Sequence, residues 1–173
     1  MRRKKTIIAA KFAAYVLVLL VLYVLQTTPG LFAIFGVKPM LVVPAAIAIA
    51  MYEGEFVGGL FGAFAGLLCD MGSSMLFGFN GLFTAFFCVL AGLAVANLMH
   101  CNAWNATGYV AVAMLVTRSA EFFFGYAMWG YDYVGMIFVR QTLPLIVYTA
   151  LVTPLMFWLV RALHMRARRA IDN

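Results

Sequence analysis

The sequence predicts an all-α protein: a polytopic membrane helix bundle of six transmembrane helices, with the N- and C-termini both cytoplasmic. Three observations predict it. Of 173 residues, 66% are apolar and only 10% are charged, too apolar for a soluble surface. Apolar runs recur from end to end. Basic clusters bracket them, with Arg2, Arg3, Lys4 and Lys5 before the first run and Arg161, Arg166, Arg168 and Arg169 after the last. Lys and Arg mark the cytoplasmic side. Both ends therefore lie inside, and the number of spans is even. One membrane domain fills residues 1–173, leaving no room for a separate soluble domain.

The spans are read in order as about 6–25, 39–52, 56–70, 82–99, 104–129 and 139–160. Lys11 lies about one turn into the first and is expected to snorkel to the cytoplasmic interface. A basic start before an apolar run also suits a signal peptide, but the run is long and no small-x-small site follows it, so it reads as an uncleaved anchor. Pro29, Gly30 and Gly36 punctuate an outer loop, and Pro39 suits the first turn of the second span. Spans two and three are short. About 14 residues give about 21 Å of helix against a hydrocarbon core of about 30 Å. Joined by Glu53-Gly54-Glu55, they are either two crossings or a re-entrant pair. Parity holds in both cases, and six crossings is preferred because a bundle tolerates local thinning. Asp70 opens the second outer loop, DMGSSMLFGFNG. The fifth span runs from Trp104 to Trp129. The sixth carries Pro144 near its start and Pro154 deep inside, where a kink is expected. Inner regions hold the eight clustered cations, whereas the outer ones hold Lys38 and Arg140. Trp104 and Trp158 fall near the inner interface, and Trp129, Tyr131 and Tyr133 near the outer.

Gly54, Gly58, Gly62 and Gly66 recur at steps of four, with Asp70 next. Such steps form one inclined helix ridge, drifting about 40° per step at 3.6 residues per turn. Small residues let backbones approach, the known driver of helix association in lipid. A packing seam is sufficient to explain these glycines.

Arg118 and Glu121 stand at i and i+3 near the middle of the fifth span, so they can meet on one face. Charge at that depth is costly unless paired or facing a wet interior. The pair reads as a polar contact that fixes packing or as a substrate or proton site, in both cases facing the bundle interior. Asp70 could bind a cation, contact a partner or accept hydrogen bonds from its own loop; loop tethering is preferred. Glu53 and Glu55 read as solvated acids flanking a turn. Cys69, Cys88 and Cys101 are odd in number and lack metal spacing. His100 and His164 fall at the cytoplasmic boundary. No HExxH, CxxC, phosphate loop or Ser/His/Asp spacing is present. The expectation is no catalytic residues, no metal and no cofactor. The basic ends are explained by topology and anionic lipid headgroups, not by nucleic acid.

The central stretch resembles the rod shape-determining protein MreD family. The resembling features are Lys38-Pro39 opening a span and the turn Tyr52-Glu53-Gly54-Glu55. The ladder Gly58, Gly62, Gly66 follows, running into Gly66-Leu67-Leu68-Cys69-Asp70, and then the loop close Leu76-Phe77-Gly78-Phe79-Asn80. The likeness covers about residues 38–97. Met40 departs from it, standing where a polar residue is expected after the proline. The resemblance implies a non-catalytic, multi-pass scaffold of the bacterial plasma (inner) membrane, part of the cell-elongation machinery. Such a protein binds the bitopic MreC and helps couple MreB to the peptidoglycan synthase and transpeptidase. For this chain it puts Gly54, Gly58, Gly62 and Gly66 in helix packing, and Asp70, Gly78 and Asn80 in outer-loop organisation or partner contact. The family's bundle also resembles the S components of energy-coupling-factor transporters. That likeness supplies the alternative, a small-molecule-binding subunit with an outward polar pocket drawn from Asn80, Thr84, Arg118, Glu121 and Gln141.

Overall fold

The computed structural model describes residues 2–28, 38–72, 77–98, 100–125 and 142–172. Outside them lie Pro29, Gly30 and Gly36 of the first outer loop, and Ser73, Ser74 and Leu76 of the second. The end of the fifth span, the whole third outer loop with Trp129, Tyr131 and Tyr133, and Arg140 and Gln141 also lie outside, as do the side chains of residues 2–5, 171 and 172.

The described residues form six helices and no strand: α1 (Arg2–Thr27), α2 (Val42–Glu53), α3 (Glu55–Met71), α4 (Phe79–Asn97), α5 (Ala103–Gly125) and α6 (Leu143–Asp172). Three stretches are long and apolar enough to cross a membrane: Thr6–Thr27, Phe79–Asn97 and Leu143–Ala170. α2 is equally apolar but has only 12 residues. In α5, Arg118 and Glu121 dilute an otherwise apolar helix. Every helix but α2 turns large apolar side chains outward, among them Leu17, Phe56, Leu82, Val112 and Leu151. Such a surface suits lipid rather than water.

α2 is the hub. It is apolar on every face, and such a helix belongs in an interior. All ten residues from Val42 to Met51 are buried. Four alanines, Ala45, Ala46, Ala48 and Ala50, keep it thin, and it packs against each of the other five helices. Its start differs from expectation. Pro39 precedes the helix, and Pro44 occupies the first turn, where a missing N–H costs nothing. No side chain of its own caps it. Two neighbours do so instead. Gln26 Oε1, at the end of α1, accepts from the N–H groups of Leu41 (2.9 Å) and Val42 (3.3 Å). Thr149 Oγ1, on α6, accepts from Met40 N–H (3.1 Å). A helix end shielded from water needs such acceptors.

Gly54 does not belong to the packing ridge. It is the one-residue turn between α2 and α3, at φ 88° and ψ 179°, a region essentially reserved for glycine. A Cβ there would meet nothing within 4 Å, so the requirement is conformational and not steric. Gly58, Gly62 and Gly66 do line close approaches. A Cβ on Gly58 would lie 2.7 Å from Ala50 Cα of α2. On Gly62 it would lie 2.7 Å from Cys88 Cβ, and on Gly66 2.6 Å from Gly81 Cα, both on α4. The ridge has a counterpart on α4, where a Cβ on Gly92 would lie 2.6 Å from Glu55 Cα. α3 and α4 thus pack nearly backbone to backbone along their length, with Cys88 and Ala91 buried between the glycines.

Helix ends shift by a few residues from the sequence reading. The largest difference is at the chain's end. α6 continues to Asp172, carrying Arg161, Arg166, Arg168 and Arg169 as helical residues. Good helix formers dominate that stretch, and nothing breaks it. Pro154 lies inside the same helix.

Candidate functional site

Two polar clusters lie at opposite ends of the hub helix. The first surrounds the starts of α2 and α4. Asp70, at the last turn of α3, is buried at 3% exposure. Its Oδ2 accepts from the N–H groups of Gly78 and Gly81, both at 3.0 Å, and its Oδ1 from Asn80 N–H at 3.1 Å. These are the unsatisfied donors that open α4. A carboxylate there also meets the positive end of the helix dipole. Gly78, at φ 94°, gives the turn its shape. The residues assigned to loop organisation, Asp70, Gly78 and Asn80, therefore form one backbone clamp that closes the α3–α4 hairpin.

The clamp continues into α5. Asn80 Nδ2 donates to Glu121 Oε1 at 2.9 Å, and Glu121 is ion-paired with Arg118 Nη1. Glu121 is buried at 7% exposure, so the pair faces neighbouring helices and not the outside. Arg118 Nη2 lies 2.7 Å from Met40 Sδ. A thioether is a weak acceptor. The residue that departs from the resembling pattern is thus the one that meets this guanidinium. Arg118 Nε is buried and has no acceptor among the described residues. Lys38, Gln26, Asn80 and Arg118 share the lining of a cavity of about 530 Å³. Thr84 and Arg118 border a much smaller void, about 10 Å³, the room of one water.

The second cluster surrounds the α2–α3 turn. Here the structure corrects one expectation. Lys11 donates to Glu53 Oε2 at 2.7 Å. Glu53 is not a solvated acid. Its Oε1 accepts from Tyr15 Oη at 2.8 Å and faces His164 Nδ1 at 2.9 Å. The His164 ring stacks on Tyr52, with centroids 5.0 Å apart. Burial alone would raise the Glu53 pKa; the hydrogen bonds from Lys11, Tyr15 and His164 outweigh it and hold the carboxyl below its ordinary value. Glu55, by contrast, is exposed in the first turn of α3, where its charge favours the helix start. One carboxylate thereby ties α1, α6 and the hub together.

Chemically, the Asp70 cluster offers hydrogen-bond donors and paired charge at the edge of a cavity. The Glu53 cluster pairs its own groups, and its Lys11 and Tyr15 also border a cavity of about 340 Å³. Among the described residues no three His, Cys, Asp or Glu side chains converge as a metal site. Cys69 and Cys88 are buried free thiols, and Cys101 is a half-buried one. Sequence reasoning missed Gln26, Thr149 and Tyr15, and it named His164 without its partner Glu53. The available signals were a lone Lys11 inside an apolar run and a glutamine ending one; both implied polar partners elsewhere in the bundle. No family model, curated protein or solved structure matches this chain.

Proposed function

We propose that the chain is a six-span protein of the bacterial plasma membrane, with cytoplasmic ends, that works as a scaffold of the cell-elongation machinery and catalyses no reaction itself. Its partners would be an MreC-like bitopic protein and, directly or through it, MreB, the elongation peptidoglycan synthase and the transpeptidase. The observation that carries the reading is the α3–α4 hairpin. The residues that resemble the MreD pattern are those that bring its backbones together at Gly62 and Gly66 and lock its open end through Asp70. A rigid hairpin presenting outward apolar side chains such as Leu60, Leu67, Leu82 and Phe86 suits helix-to-helix docking in lipid.

The cavity beside Arg118 favours one other reading, a ligand-binding subunit of the energy-coupling-factor type. One experiment separates the two. The tagged protein is recovered from its own membranes in mild detergent and its partners are identified by mass spectrometry. The scaffold reading expects a bitopic MreC-like protein with wall synthases. A transmembrane coupling subunit with two ATPases would overturn it in favour of the transporter reading. Gly62→Leu adds a second test, since a bulky side chain must part α3 from α4. Normal membrane levels and normal cell shape in that variant would refute the role given to the hairpin.

A further inference from the structure

The 530 Å³ cavity at the Asp70 end falls within the size range of small-molecule sites. Its charge is one-sided. Lys38 and Arg118 line it, and no Asp or Glu does among the described residues. Gln26, Asn80 and Tyr23 add neutral polar groups to the same wall. The two nearby carboxylates are turned to other work: Asp70 holds the start of α4, and Glu121 holds Arg118 and Asn80. The start of α2 lies at this end as well, placing a positive helix terminus near the cavity.

Arg118 is under-used. Its guanidinium has five donors in a fork. The described residues give it one carboxylate oxygen and one thioether sulfur, and Nε has no acceptor. A guanidinium at this depth normally finds oxygen acceptors for more of its donors. Arg118 and Met40 line the cavity together, so an oxyanion there would compete with the weak sulfur for the guanidinium. Lys38 would supply the point charge and Arg118 the directional bonds, the division of labour common in phosphate and carboxylate recognition.

We propose that this cavity, walled by Lys38, Arg118, Gln26 and Asn80, binds an oxyanion: a carboxylate or phosphate group carried by a small solute or by a lipid headgroup. The proposal does not rest on the scaffold reading; a free solute bound here would deepen the ligand-binding reading of the same cavity, whereas a lipid headgroup would leave the scaffold reading in place.

The test uses the full chain, purified in uncharged detergent. Its thermal unfolding midpoint is followed against inorganic phosphate and against acetate, with ionic strength held constant by chloride. A parallel arm compares vesicles of phosphatidylcholine with vesicles containing phosphatidylglycerol. Lys38→Gln removes the cavity's point charge without touching any hydrogen bond described above. Arg161→Gln removes an equal charge from the far end and serves as control. A saturable rise with phosphate or acetate, weakened about tenfold in Lys38→Gln and unchanged in Arg161→Gln, assigns the site to a free anion. A rise with phosphatidylglycerol alone, lost in Lys38→Gln only, assigns it to a lipid headgroup. No rise with any probe, or equal losses in the two variants, overturns the proposal.

Discussion

Gly66→Ala isolates the physics of the α3–α4 seam in a single methyl group. The new Cβ would lie 2.6 Å from Gly81 Cα and 2.7 Å from the carbonyl carbon of Asn80, and it would press on the Asn80 carbonyl oxygen. All three are backbone atoms, so no rotamer change relieves them. Ordinary contact begins at 3.4 Å, so the helices must part by about 1 Å, a gap that forfeits a quarter to a half of the dispersion energy across it. Overpacking of this kind costs about 1–3 kcal/mol. The same movement carries Asn80 N–H and Gly81 N–H away from Asp70, and weakening one charge-assisted bond adds about 1.5–3 kcal/mol. The expected loss is about 2.5–6 kcal/mol. Cys88 supplies the assay, because its thiol is fully buried beside Gly62 in the same seam. Its alkylation rate in mild detergent, separated from those of Cys69 and Cys101 by peptide mapping, should rise by at least a hundredfold. Two other glycines calibrate the result. At Gly59 a Cβ would meet one side-chain carbon, Cγ2 of the stiff Val89, and no backbone within 4 Å, so Gly59→Ala should cost less than Gly66→Ala, about 1–2 kcal/mol. At Gly108 it would meet nothing within 4 Å, so Gly108→Ala should stabilise α5 by up to about 1 kcal/mol. If Gly66→Ala labels no faster than Gly108→Ala, the seam is not held by close backbone approach and the reasoning fails.

Three further outcomes follow from the polar clusters. Asp70→Asn keeps the shape but removes the charge and one of two acceptor oxygens. It should cost about 2–4 kcal/mol in thermal unfolding, and a loss under 0.5 kcal/mol would show that the clamp does not hold α4. For Arg118 and Glu121, each single neutralisation (Arg118→Gln or Glu121→Gln) leaves a buried charge unpaired and should cost about 3–5 kcal/mol. The double variant should cost clearly less than the sum, and strict additivity would mean that the pair is not coupled. At the other end, Glu53 has a folded pKa held below its ordinary value. Its contribution is therefore fully present above the unfolded value, about 4.3, and is lost as the pH falls through the folded one. Unfolding midpoints should drop on acidification below that point in the wild type and lose this slope in Glu53→Gln; an unchanged slope would sink the assignment.

The sequence made legible what depends on pattern along the chain. Apolar runs, a four-residue glycine step and an i, i+3 charge pair are local statements, and helix geometry converts them directly into faces. Asp70 is legible for the same reason, since its acceptors serve a helix that starts only a few residues later. What stayed hidden depends on which helices meet. Nothing near Glu53 in sequence says that Lys11, Tyr15 and His164 converge on it, because the three come from α1 and α6 and are separated from it by 42, 38 and 111 positions. Gly54 misled for the opposite reason. It keeps perfect step with the ladder, yet its place between two helices makes its φ of 88° the operative constraint. Periodicity names a face, but it cannot say where the helix bearing that face begins.

The arrangement of the two clusters then follows from the shortness of α2. A helix of 12 residues covers about 18 Å, much less than its long neighbours. The unsatisfied backbone groups at its start and the carboxylate at its end each need a protein partner. Long neighbours are placed to provide them: α1 reaches one end with Gln26 and the other with Lys11 and Tyr15, and α6 does the same with Thr149 and His164. Each of these two helices therefore bonds to both ends of the hub. A rotation of either one that preserved its apolar contacts would still break polar bonds at two levels. Apolar packing in lipid is permissive about rotation, since tails and side chains are equally good neighbours. The paired polar ties supply the orientation that packing alone leaves open.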